Sequence, residues 1–104
     1  MSDDIWIGLA HVKPRPRNEV LGNVAGAYVA CVGLAHEIEE YFDLVVREMD
    51  KLGLDVIVIE DIEFLADRMK KFDVSEDIID LAEKLDGENR ILFNEFHTYK
   101  YEEH

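Results

Sequence analysis

Residues 36–52, HEIEEYFDLVVREMDKL, can bury only one side of a helix. Ile38, Tyr41, Phe42, Val45, Met49 and Leu52 recur at the helical period, and Glu37, Glu39, Glu40, Asp43, Arg47, Glu48 and Asp50 fill the other side. Acids crowd the first turns, where the helix dipole favours them, and Gly53 is placed to stop the helix. The neighbouring runs are different. VAGAYVACVGL at 24–34 and LDVIVI at 54–59 are apolar with no polar face, and both read as strands. Gly22, Gly26 and Gly33 weigh against a helix in the first of these and allow a close backbone approach or a bulge. A one-sided helix between two such runs must pack on a sheet.

The other elements follow from the same reasoning. IWIGLAHV at 5–12 is a strand with both faces mostly buried. Pro14 and Pro16 then exclude a ladder and hold KPRPRNE, residues 13–19, extended, in a long loop joining two hairpin strands. Residues 61–72 read as a helix with Ile62, Leu65, Met69 and Phe72 inward. A second helix covers 76–86, with Asp73 and Ser75 as candidate N-caps, Ile78, Ile79, Ala82 and Leu85 inward, and Gly87 ending it. RILFNEFHTYKY at 90–101 reads as a last strand, with Ile91, Phe93, Glu95, His97 and Tyr99 sharing one face. The expected fold is one α+β domain over 1–104. It has a small mixed or antiparallel four-stranded sheet with helices packed on one face, in the order β-β-α-β-α-α-β. That sandwich is related to the ferredoxin-like group but lacks its standard order.

Charge narrows the partners. The chain carries 24 acidic and 11 basic residues, a net charge of −13, so duplex nucleic acid and anionic membranes are repelled and basic proteins attracted. The acidity is regional, with ten acids against Arg47 and Lys51 in 36–63 and seven against Lys84 in 73–88. A solvated, soluble surface accounts for the same counts. The lone Cys31 allows no internal disulfide and reads as a buried, inert thiol. The acidic MSDDIWIG is unlike a basic export signal, and the expected compartment is the cytoplasm.

Catalytic signatures are missing: no nucleophile elbow, phosphate loop, dinucleotide fingerprint or cysteine pair with zinc spacing occurs. No metal or cofactor is expected. His36 and Glu40 share a helix face, but two ligands are too few for zinc, and a solvated helix start accounts for them. Glu60, Asp61 and Glu63 follow a strand, where paired carboxylates serve acid–base chemistry if one is buried; a solvated turn is the simpler reading. Tyr99, with Tyr101 beside it, offers phenol rings of the kind that anchor interfaces. Lys13, Arg15 and Arg17 either lie against an acidic face of the same fold or project as a positive prong.

In its size, its acidity and its lack of a catalytic motif, the chain resembles the small bacterial immunity and antitoxin proteins that neutralise secreted toxins, often nucleases. The resemblance covers overall character, and no residue is carried over from it. It implies a non-enzymatic binding protein that masks a basic partner. Glu37, Glu40, Asp43, Glu60, Asp61 and Glu63 would steer that partner, Tyr99 and Tyr101 would anchor it, and Arg15 and Arg17 would touch it. The alternatives are a ligand-binding protein or enzyme with a pocket near Glu60, Asp61 and His97, and a subunit that self-associates through a strand edge.

Overall fold

A computed structural model describes residues 3–22 and 24–100. In chain order the elements are β1 (Asp4–Pro14), β2 (Gly26–Ala35), α1 (Ile38–Lys51), β3 (Leu54–Phe64), α2 (Leu65–Lys71), α3 (Glu76–Glu83), β4 (Ile91–Phe93) and β5 (His97–Tyr99). The fold is α+β: a five-stranded antiparallel sheet with three helices packed against it. The strand order is β3-β1-β2-β4, and β5 also pairs with β2. Because β2 and β3 both run antiparallel to β1 and α1 joins them, they form a split β-α-β unit, the piece shared with ferredoxin-like folds.

The helices do not share one face. Trp6, Ala10 and Val12 of β1 and Ala27, Val29 and Cys31 of β2 pack under Tyr41, Val45 and Met49 of α1. Ile7 and Val32 point the other way and pack under Leu65, Ile78 and Ala82 of α2 and α3. The cause is in the sequence: β1 and β2 are apolar on both faces, so a cover on one side would leave a second apolar side in water. Two buried polar links pin the α1 side. Trp6 Nε1 donates to the Ala35 carbonyl at 3.0 Å, and the Tyr41 hydroxyl donates to the Cys31 carbonyl at 2.8 Å. Gly33 makes room for this tyrosine, since a Cβ there would stand 2.8 Å from its ring.

Three other expectations change. The strand at 54–59 runs on to Phe64, through residues read as the start of a helix. It does so over two bulges, in which one step along β1 opposes two steps over 56–58 and two steps oppose three over 60–63. Asp61 takes a left-handed φ of 54° there, a conformation aspartate tolerates better than most residues. Ile62 therefore belongs to a strand, and α2 keeps only the last part of the expected helix. The last strand is also broken. From Phe93 to His97 takes four steps while its partners Cys31 to Tyr28 take three, so the side-chain alternation flips. Ile91, Phe93 and Phe96 pack on the α1 core, and His97 and Tyr99 face the opposite side. On α1, the buried row is Tyr41, Val45 and Met49, whereas Ile38 and Phe42 are exposed. For α3, Ser75 is the N-cap, its hydroxyl accepting from Ile78 N.

Candidate functional site

Element lengths leave part of the sheet open. Eleven residues of β1 extend roughly 36 Å, while the eight residues of α3 rise only about 12 Å. Helices α2 and α3 cover the half around Ile5, Ile7, Val32 and Leu92. The other half of that face carries a row across four strands, Val58, His11, Tyr28 and His97, set by the pairing register. Tyr99 lies across β2 above Gly26, where a Cβ would come 2.4 Å from its hydroxyl oxygen. It shares a hydrogen bond with His11 Nε2. The rings of His11 and Tyr28 stack at 4.3 Å, and Tyr99 closes the group at 5.6 and 5.8 Å. Tyr28 and Tyr99 remain 38% and 37% exposed. The result is a packed aromatic patch with polar tips, with no helix of the described residues above it.

Of the anchors expected from sequence, Tyr99 belongs to this patch, and His97, expected at an alternative pocket, lies in the same row opposite Tyr28. Glu95 falls in the break before β5, and Tyr101 lies outside the described residues. Tyr28 and His11 were missed as site residues. Their signal was the hairpin register, which places residue 11 opposite residue 28. Glu60 sits opposite Leu9 at the margin of the same face.

The acids do not gather into one surface. Glu37, Glu40 and Asp43 lie on or just before α1, and the acids of α3 lie across the sheet from them. Glu40 pairs with Arg90, whose guanidinium also donates to the Leu34 carbonyl. Glu63 accepts from Lys71 at 3.0 Å and Arg68 at 2.9 Å, and these two cations hold its carboxyl below the usual carboxylate range. Asp61 offers its carbonyl to Arg68 at 2.8 Å. In KPRPRNE, Arg15 folds back along the surface and bridges Asp50 at 2.6 Å and Asp55 at 2.9 Å, which raise its already high pKa. Arg17 forms no ion pair among the described residues and has a φ of 65°. Asn18 fixes the loop: its amide donates to the Leu52 and Gly53 carbonyls, and its side-chain oxygen accepts from Val20 and Leu21 N.

Two concave features stand apart from the aromatic patch. A cavity of about 630 Å³ lies between the sheet and the α2–α3 connection; Ile7, Ala30 and Ile78 line it together with Asp61, Glu63 and Asn94, and neither Glu60 nor His97 reaches it. A groove of about 580 Å³ runs between α1 and β3, over Phe42, Val46, Leu54 and Val56. Along its helix wall Phe42 and Val46 are 44% and 37% exposed, and Ile38, one turn earlier on α1 and beyond the groove, is 41% exposed. Among the described residues there is no cluster of three or more metal-ligating side chains, and no helix is long and apolar enough to cross a membrane.

No family model matches this chain, and neither the curated proteins nor the solved structures contain a match.

Proposed function

We propose that this protein is an acidic protein-binding module of the immunity or antitoxin type, which neutralises a basic partner by covering its working surface. The observation that carries this reading is the half of the sheet that neither α2 nor α3 covers, where Tyr28, Tyr99 and His11 form one patch. Tyrosines with an apolar body and a wet hydroxyl are the residues that anchor interfaces. The net charge of −13 supplies long-range attraction towards a basic surface and governs the association rate more than the final affinity. Affinity capture at low salt from a lysate of the source organism, followed by association kinetics on the captured protein, tests it. One basic protein should bind stoichiometrically, associate more slowly as salt rises, and bind about tenfold or more weakly to Tyr28→Ala and Tyr99→Ala. Equal binding to these variants, or an association rate indifferent to salt, would remove the proposal.

The 630 Å³ cavity favours a second reading, a small-ligand site beneath the α2–α3 connection. A compound that raises the melting temperature of the protein but not of an Ile78→Trp variant, whose indole enters the cavity, would support it. A hit that survives this filling would place the ligand elsewhere.

A further inference from the structure

We infer that the groove between α1 and β3 is a second docking surface, which receives a basic amphipathic segment of a partner protein. It lies on the side of the sheet opposite the aromatic patch, so it stands or falls independently of the reading above.

Helix α1 uses Tyr41, Val45 and Met49 for the core and still presents Ile38, Phe42 and Val46 in a line one turn apart. That line spans about 12 Å, close to two turns of a partner helix. Scattered surface apolars need no explanation, but a contiguous line continued by the groove floor of Leu54 and Val56 does.

Charge specifies the occupant. Helix α1 carries five acids against two bases, and the groove is rimmed by Asp43, Asp50 and Asp55 against Arg15 and Arg47, which leaves it net acidic. The chain itself already seats a cation there: the Arg15 guanidinium enters from the β1–β2 loop and bridges Asp50 and Asp55. The acidic end of the groove is thus a working guanidinium seat, filled by an internal residue that is itself exposed. A partner arginine would meet the same two carboxylates, with Asp43 further along the helix.

A second copy of this chain fits poorly. An isologous contact would bring two acidic α1 helices together on molecules of net charge −13 each. A basic partner meets no such repulsion.

The test uses a synthetic helical peptide with leucines at i, i+3, i+4 and i+7 and lysine or arginine elsewhere. A scrambled peptide of the same composition serves as the control. Binding is read by fluorescence anisotropy, and the site by amide shift changes. The patterned peptide should bind about tenfold tighter than the scrambled one and perturb α1 and β3. Phe42→Asp, an exposed change that leaves the core intact, should abolish that advantage; Tyr28→Ala, on the other side of the sheet, should leave it unchanged. Arg15→Ala should tighten binding several-fold, because it vacates the seat between Asp50 and Asp55. A merely structural role for Arg15 would give no gain. Equal binding of both peptides, shifts confined to the opposite face, or weaker binding by Arg15→Ala would overturn the inference. So would a dimer of the free protein that Phe42→Asp dissociates, since the groove would then be a contact between copies.

Discussion

Burial sets the chemistry of single side chains. Cys31 lies in the core beneath α1, and desolvation pushes its thiol from the ordinary 9.0 up to about 12. Its neighbour Tyr41 is shifted in the same direction, first by burial. Both groups stay neutral in the folded state, whereas the unfolded chain ionises them at ordinary values. Their contribution to stability is therefore complete below pH ~8.5 and is lost progressively as pH rises towards the folded values. Two measurements check this. A thiol reagent at pH 8 should label Cys31 only as fast as the protein opens, and the urea midpoint should fall between pH 8 and 10. Immediate stoichiometric labelling of the native protein would show that the thiol is accessible after all. Tyr41→Phe should cost about 1–2 kcal/mol, because the buried Cys31 carbonyl loses its side-chain donor.

The junction of β3 and α2 rests on the pairs that Glu63 makes with Lys71 and Arg68. Its carboxyl is held below the ordinary range, so this link is whole at neutral pH and is lost as pH falls through the lowered folded value. Helix α2 should loosen on acidification, seen as a loss of amide protection at 65–71, and Glu63→Gln should show the weaker protection even at neutral pH. The same junction marks where the sequence became hard to read. Class and most elements were legible because β1 and β2 are short unbroken apolar runs and α1 has a strong helical period. Ile62, Leu65, Met69 and Phe72 also match a helical period, yet the bulge at Asp61 keeps the first of them in the sheet. A bulge leaves almost no sequence signature unless it uses glycine. Helix α1 posed a related problem. Its rows 38–42–46 and 41–45–49 are both apolar, and the period alone does not say which row the core takes. At the aromatic patch, alternation along the last strand revealed His97 and Tyr99. His11 and Tyr28 came to them through a hairpin register fixed by an eleven-residue loop, beyond the reach of local pattern.

Across the whole molecule, salt screens self-repulsion and would screen the attraction of the proposed basic partner, with opposite consequences. Raising ionic strength screens the net charge of −13 and should raise the melting temperature of the free protein. The same change should slow capture of a basic partner, so a salt titration separates the two effects. The overall form is a slab of 48 × 27 × 21 Å, thin for its length. Helices cover both faces at one end, but among the described residues only α1 covers the end that carries Tyr28 and Tyr99. The covering that sets resistance to opening therefore changes along a single strand. Amides of β1 near Ile7 lie between two packed layers and should exchange with solvent only on global unfolding. Those near His11 should exchange through smaller openings, orders of magnitude faster, although both belong to one continuous ladder. A bound partner would supply the missing layer and level that gradient, so one strand would report occupancy of the face in the time its amides take to turn to deuterium.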